Sequence, residues 1–358
     1  MQIGWIQLLE FRNYRTLEYH PSPRLNLLTG PNAQGKTNLL EAVGFLLTGR
    51  SFRTSRLPEV PHWDASSTTV TGEVRRADGG RTLRRMIRKH DSGTAQASGD
   101  VCDWARVIAF GWQDLEIVNG GPSARRNFID GFAGRLYPGH LAGLVRYRQV
   151  LARRNHLLQS GEPGLDERLA PWDEQLATLG AEMIARRRKA AAMLQTELGR
   201  VFPALSGARH KVEIRYRTAL GEATDAADVL AALGRARRAE VRRRLTLVGP
   251  HRDDLAIELD GADVRSFGSR GQQRLIALSL RLAEVLPVTE AVGTAPVLLL
   301  DDALSELDAE VRANVLREIQ GVEQVYLTSP EALPGTDGMR WNVKGGTVTG
   351  AETTVTRG

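Results

Sequence analysis

Apolar residues interspersed with polar ones over residues 3–11 and 16–19 read as short strands. Leu25-Asn26-Leu27-Leu28 then carries an apolar run into Gly30. From Thr37 to about Thr48 the apolar positions take helical spacing instead. Residues 68–76 and 82–89 flank Asp78-Gly79-Gly80, a turn signal that predicts a hairpin, and residues 107–110 read as a short strand before a polar loop. Beyond Gly120-Gly121-Pro122 helix-forming residues dominate 123–159 and 166–199, interrupted at Gly161-Glu162-Pro163-Gly164. Two helices of that length, each about 50 Å long at 1.5 Å per residue, predict an antiparallel arm folded back on the rest rather than a long rod. A third, basic helix over 226–244 brings the chain back. Alternation then resumes, with strands predicted at 245–248, 255–259, 297–300 and 324–327 and helices at 269–285 and 309–319. No internal repeat or low-complexity segment is visible. The chain therefore reads as α/β, with a head made of residues 1–120 and 245–358 and a mostly α-helical arm, 121–244, inserted between its halves.

Composition adds three constraints. In 358 residues, 42% hydrophobic and 25% charged, there is material for two globular domains. Cys102 stands alone, which excludes an intramolecular disulfide and fits a thiol-reducing cytoplasm. Met1-Gln2-Ile3-Gly4-Trp5 lacks a basic region before an apolar run, against a secretory signal, and the longest apolar stretch, 295–300, is too short to span a bilayer. No membrane partner is expected. The formal charge is +6, but residues 121–244 hold 23 basic against 13 acidic side chains, a net +10, and the remainder is net −4. A polyanion such as DNA is the partner this implies for the arm. Arginines outnumber lysines 43 to 5, which suits bidentate phosphate contact, although a GC-rich genome would enrich arginine too.

The chemistry-bearing motifs lie in the head. Gly30-Pro31-Asn32-Ala33-Gln34-Gly35-Lys36-Thr37 follows a predicted strand and opens a predicted helix, the context a P-loop requires. Its glycines let backbone N–H groups converge on phosphate oxygens at the helix N-terminus. Lys36 would reach the β- and γ-phosphates of ATP and the Thr37 hydroxyl would ligate Mg²⁺. Far downstream, Val297-Leu298-Leu299-Leu300 delivers Asp301 and Asp302 to the end of a buried strand. Asp301 is then placed for the Mg²⁺ shell and Asp302 for orienting or deprotonating the attacking water. The plainer reading, a core strand followed by a capping Asp-Asp pair, loses weight beside Lys36.

Ser269-Arg270-Gly271-Gln272-Gln273-Arg274 upstream of that strand and Ser305-Glu306-Leu307-Asp308 after it complete an order that resembles the ABC-type ATPases. By that resemblance the first is the signature motif and the second the D-loop. Ser269, Gly271 and Gln272 would contact the γ-phosphate of ATP held by a second subunit, and Gln113 would be the Q-loop glutamine. Ser269 also reads as an ordinary N-cap, and the two roles are compatible. The resemblance narrows further. Phe11-Arg12-Asn13-Tyr14, the run Asn119-Gly120-Gly121-Pro122-Ser123-Ala124-Arg125-Arg126-Asn127-Phe128-Ile129-Asp130, Tyr147 through Leu158, and Leu247-Val248-Gly249-Pro250-His251-Arg252-Asp253-Asp254-Leu255 resemble the RecF family of recombination mediators, from residue 11 to residue 308.

That family implies an ATP- and Mg²⁺-dependent homodimer, assembled head to tail, that binds duplex DNA, single-strand gaps and single-strand–double-strand junctions. It implies a weak, DNA-stimulated ATPase, cooperation with RecR and RecO, indirect assistance to RecA loading, and a place in DNA replication, repair of DNA damage and the SOS response. Arg12, Asn32 and Asn38 join Gly30, Gly35, Lys36 and Thr37 as implied ATP contacts, and Asp302, Lys36 and Gln113 as the implied catalytic set. Two departures from transporter-type relatives, shared by RecF proteins, argue against fast hydrolysis: aspartate rather than glutamate at 302, and Leu327-Thr328-Ser329 where a histidine is usual. RecF proteins also often carry a Pro-Glu pair where this chain has Trp112-Gln113.

Arg186-Arg187-Arg188-Lys189 is the candidate DNA contact, against the plainer alternative of a solvated helix face. His251, beside a Gly-Pro turn, reads more readily as structural than as catalytic. A transporter ATPase would need a membrane-coupling surface, which a net +10 insert matches poorly. An SMC-like DNA organiser would need longer arms than 124 residues supply. An ATP-binding switch with little useful turnover stays open. No base-reading motif is present, so DNA recognition is expected through the backbone.

Overall fold

The segment at the start of the chain forms an antiparallel pair, β1 (Gln2–Phe11) and β2 (Tyr14–Tyr19), before β3 (Leu25–Thr29) runs into α1 (Lys36–Thr48). This is a computed structural model; it describes residues 1–160, 164–207, 210–221, 225–333 and 336–351. The hairpin signal around Asp78 is realised as β4 (Ser67–Arg76) and β5 (Gly79–Lys89), followed by β6 (Ala95–Gly99), β7 (Val107–Phe110) and α2 (Leu115–Asn119). Next come α3 (Pro122–Leu136), α4 (His140–Ser160), α5 (Leu165–Ser206), β8 (Val212–Arg217) and α6 (Ala226–Arg243). The chain then makes β9 (Asp254–Leu259), β10 (Ala262–Asp263), α7 (Val264–Phe267), α8 (Arg270–Leu282) and α9 (Val285–Val292). It finishes with β11 (Val297–Leu300), α10 (Ala309–Ile319), β12 (Val325–Ser329), β13 (Met339–Lys344) and β14 (Thr347–Ala351).

Two compact units emerge. The first comprises 1–115, 201–209 and 277–358, the second 116–200 and 210–276. In the first, an antiparallel sheet β2-β1-β4-β5-β6 and a mixed sheet β14-β13-β3-β12-β11-β7 enclose α1. That is why residues Leu39–Leu47 of this helix are buried almost all round, where a surface helix would bury one stripe. The central strands β3, β12, β11 and β7 run parallel in register, Ser329 opposite Thr29, Leu327 opposite Leu300 and Leu300 opposite Phe110. Their C-terminal ends therefore share one edge, the position where parallel sheets place ligand sites.

The second unit packs Tyr147, Val150, Leu176, Ala177, Met183, Val229 and Leu233 into a core. Within it Arg154 is fully buried, and its Nε, Nη1 and Nη2 donate to Asp173 (2.7 Å), Thr246 (2.7 Å) and Glu240 (2.6 Å). A buried cation with three oxygen partners holds three segments of this unit together. Removing one partner of such a set costs about 3–5 kcal/mol.

Several expectations are revised. The single helix at 123–159 is two, because Pro138 forces Tyr137 out of helical geometry (ψ 113°) and Gly139 follows in the left-handed region (φ 79°). No strand forms at 245–248. The N–H groups of Thr246 and Leu247 are satisfied by Asn155 Oδ1 and Glu240 Oε1, both at 2.8 Å, rather than by a ladder. In the second unit β9 pairs antiparallel with β8, Val212 opposite Leu259 and Arg217 opposite Asp254. Of the expected helix break, residues 161–163 lie outside the described residues.

Candidate functional site

Two glycines make possible the path of the loop between β3 and α1. Gly30 (φ 136°) and Gly35 (φ 118°) sit where side chains are strained, and a Cβ on Gly30 would stand 2.3 Å from the Val343 carbonyl oxygen. The loop is held from outside as well. Asn13 Nδ2 donates to Gln34 O (3.0 Å), the Tyr14 hydroxyl to Gly35 O (3.0 Å), and Gly345 N to Gln34 Oε1 (2.8 Å). Asn32 lies exposed at the loop tip.

Lys36 folds its ammonium into this loop, donating to Gly30 O (2.5 Å) and Pro31 O (2.9 Å). Burial lowers its pKa against the opposing pull of Asp301 and Asp302. A cation held only by neutral carbonyls is poised for an anion that would satisfy it better.

Across the sheet edge, Thr37 Oγ1 lies 2.9 Å from both carboxylate oxygens of Asp301, and Thr328 Oγ1 donates to Asp301 Oδ1 at 2.9 Å. Burial raises the Asp301 pKa, the two hydroxyls and Arg53 opposing it. Hydroxyl plus carboxylate is the hard-oxygen set that Mg²⁺ takes together with phosphate oxygens and water. Among the described residues no group of three or more His, Cys, Asp or Glu could by itself hold a metal ion. The residues fit Mg²⁺.

Asp302 is exposed in a left-handed conformation (φ 52°), its N–H fixed by Thr328 Oγ1 at 2.8 Å. Gln113 reaches the same edge. Its turn follows β7, whose Phe110 O accepts from Asp301 N at 2.8 Å, and Gln113 Nε2 donates to Arg53 O at 3.2 Å. Asp114 locks that turn by accepting from Gly111 N (2.8 Å) and Arg281 Nη2 (2.6 Å).

The structure thus brings Gly30, Gly35, Lys36, Thr37, Asp301, Asp302 and Gln113 to one edge. Asn38 joins them indirectly, bonded to Asn13 Oδ1 (2.7 Å) and to Arg53 Nη1 (2.5 Å). Arg12, named above as an ATP contact, makes its bonds to α1 and to the segment that follows it. Its Nε and Nη2 embrace Glu41 at 2.9 and 2.6 Å and its Nη1 donates to Glu59 O at 2.6 Å. Glu41 is wholly buried in α1 and needs a paired cation there. Asn13, Tyr14 and Thr328 lie in segments that the family resemblance marks, although the contacts they make are not visible in the sequence, whereas nothing local marks Arg53.

In the second unit Ser269 caps α8: Gln272 N donates to its Oγ (3.3 Å) and Ser269 N to Gln272 Oε1 (2.9 Å), a reciprocal capping box. Gly271 in the first turn has no atom within 4 Å of where a Cβ would stand. Nothing in the chain fills that space, although glycine there weakens the helix.

The arginine run needs correction. Four consecutive helical residues span most of a turn, so one must point inward, and Arg187 does. It is 2% exposed, its Nε and Nη2 both 2.7 Å from Asp130 and its Nη1 2.7 Å from Pro250 O. Burial opposes the charge, but Asp130 holds the Arg187 pKa above its ordinary value. It presents no guanidinium to DNA. Arg188 is half-buried and bonded to Gly221 O, Arg186 contacts Glu182 at 3.4 Å, and Lys189 is exposed.

His251 belongs to a packed interior rather than a reactive centre. The Tyr147 hydroxyl donates to its Nδ1 (2.7 Å) and its Nε2 donates to Thr246 O (3.2 Å). Burial pushes its pKa down to about 4.

The sequence matches the RecF/RecN/SMC N-terminal domain family over residues 2–331. It is 37% identical to the DNA replication and repair protein RecF of Heliobacterium modesticaldum, over 92% of each chain. It is 38% identical to the protein of the same name from Symbiobacterium thermophilum, over 92% of this chain and 91% of that one. A solved structure of the recombination mediator protein RecF with ATP superposes with a TM-score of 0.86 at 30% identity, covering 98% of both chains.

Proposed function

Because the chain belongs to the RecF family, we propose that it is an ATP-dependent DNA-binding recombination mediator acting in DNA replication and repair. One observation carries this reading: Thr37 and Asp301, 264 positions apart, meet at hydrogen-bond distance beside a loop built for phosphate. Backbone N–H groups and Lys36 receive the β- and γ-phosphates of ATP, and Thr37 and Asp301 hold Mg²⁺. The bound ion supplies charge neutralisation between phosphate oxygens. Asp302, exposed and anchored through its N–H, accepts a proton from the attacking water or orients it, with Gln113 beside it.

The capped N-terminus of α8, with open space at Gly271, supports a second role for Ser269, Gly271 and Gln272. They receive the γ-phosphate of ATP held by another copy, so ATP binding closes a head-to-tail homodimer. The net +10 of residues 121–244 supports DNA as the partner, at single-strand gaps, at single-strand–double-strand junctions and on duplex. Cooperation with RecR and RecO and assistance to RecA loading in the cytoplasm complete the reading. Among the described residues no helix is long and apolar enough to cross a membrane.

A second reading, a switch worked by ATP binding with slow turnover, is favoured by aspartate at 302 and by hydroxyls at Thr328 and Ser329 in place of histidine. Retention on gapped DNA separates the two. Equal retention with ATP and with a nonhydrolysable analogue supports the switch, and slower release with the analogue supports a turnover cycle. Retention that ignores nucleotide altogether contradicts both.

A further inference from the structure

Besides the arginine run on α5, exposed basic residues line one side of α4. This helix of 21 residues contains no Asp or Glu. Arg146, Gln149, Arg153 and His156 recur every three or four residues, so they share one face, and all four are exposed. Arg146 and Arg153 pair with no carboxylate among the described residues, whereas Arg154 one position on is buried in its own ion network.

Beside this face a shallow cleft of about 530 Å³ is lined by Gln149, Ala152, Arg153, His156, Leu157 and Trp172 of α5. Trp172 is half-buried against the core, and the Arg153 guanidinium lies 5.7 Å from its ring. The neighbouring carboxylate Asp173 turns inward to Arg154 and Arg237, so it adds no exposed negative charge here. An indole held at its base, beside unpaired cations and open space, matches what binds single-stranded nucleic acid: a platform for one base and charges for the flanking phosphates.

We propose that this cleft is a single-strand contact, in which an unpaired base of a DNA strand stacks on Trp172 while Arg146, Arg153 and His156 follow the adjoining phosphates. The assignment rests on the DNA-binding reading above and adds to it a reason for preferring strands with unpaired bases, since a paired base must first be unpaired and unstacked, at a cost of roughly a few kcal/mol, to reach the ring.

The test uses the full chain, binding labelled oligothymidylate and a blunt duplex of equal length over a series of salt concentrations. Trp172→Ala weakens oligothymidylate binding about tenfold or more while duplex affinity changes less than about twofold. Trp172→Phe keeps a stacking ring and the core contact, so it stays within about threefold of the parent. Arg153→Ala lowers the slope of log affinity against log salt by about 0.7 on the single strand. Unchanged oligothymidylate affinity in Trp172→Ala overturns the assignment. So does an equal loss on both DNAs, or a Trp172→Phe protein as weak as the alanine variant. If the parent protein itself binds neither DNA, it is the DNA-binding reading that fails.

Discussion

Thr37 Oγ1 sits 2.9 Å from each carboxylate oxygen of Asp301, joining the first turn of α1 to the end of β11. The pairing follows from strand register, which brings β3, β12, β11 and β7 to a common edge. If these groups hold Mg²⁺, Asp301→Asn removes a charge without changing shape. Nucleotide affinity measured with Mg²⁺ then falls at least about tenfold, while affinity in chelator barely moves. Equal losses in both conditions would show that Asp301 only supports the fold.

Asp302 lies one residue further on but is exposed. Asp302→Asn keeps ATP binding and slows hydrolysis by about 10²- to 10⁴-fold, because the amide is a poor proton acceptor. Single-turnover hydrolysis measures this directly. A parental rate would remove Asp302 from the chemistry.

Arg187 and its neighbours should separate stability from DNA contact. Arg187→Ala takes its paired guanidinium from the buried Asp130, leaving it the His140 contact at 3.0 Å, and costs about 3–5 kcal/mol in denaturant unfolding. Arg186→Ala and Lys189→Ala cost less than about 0.5 kcal/mol. An Arg187→Ala protein as stable as the parent would mean that the buried pair is not formed in solution.

His251 provides a pH dependence of definite sign. Its folded pKa of about 4 lies below the ordinary 6.5, so unfolding takes up a proton between those values. The associated stability is fully present above about pH 6.5 and is lost as pH falls towards 4, amounting to about 1–2 kcal/mol between pH 7 and pH 5. His251→Asn is less stable at pH 7, having lost the Tyr147 contact, but its stability declines less steeply with acid. Parallel stability–pH curves for the two proteins would contradict the buried neutral histidine.

Much of the head was legible in the sequence because its signals are local. A strand running into a glycine-rich loop, an apolar run ending in Asp301-Asp302, and the Asp78-Gly79-Gly80 turn each declare themselves within ten residues. The arm was legible only in outline. Helix-forming composition located 123–159 but hid the break at Pro138-Gly139. Val212–Arg217 went unnoticed because its partner β9 lies 40 residues away and its alternation is short. Side-chain commitments were the least visible. Arg12 turns to Glu41, and Arg187 to Asp130, because each carboxylate is buried in three dimensions, and no spacing in the chain reports that burial.

The head-to-tail dimer is tested most directly by oligomeric mass in sedimentation, without nucleotide and with ATP and Mg²⁺. The parent protein shifts from monomer to dimer only with nucleotide. Lys36→Ala fails because it does not hold ATP, and Ser269→Arg fails because its α8 cap cannot receive the γ-phosphate, although each monomer is folded and Ser269→Arg still binds ATP. A mixture of the two variants recovers a dimer fraction, since one of the two shared sites in the heterodimer carries neither defect. A mass that ignores ATP in the parent, or a Ser269→Arg protein that dimerises normally, would contradict the shared-site account.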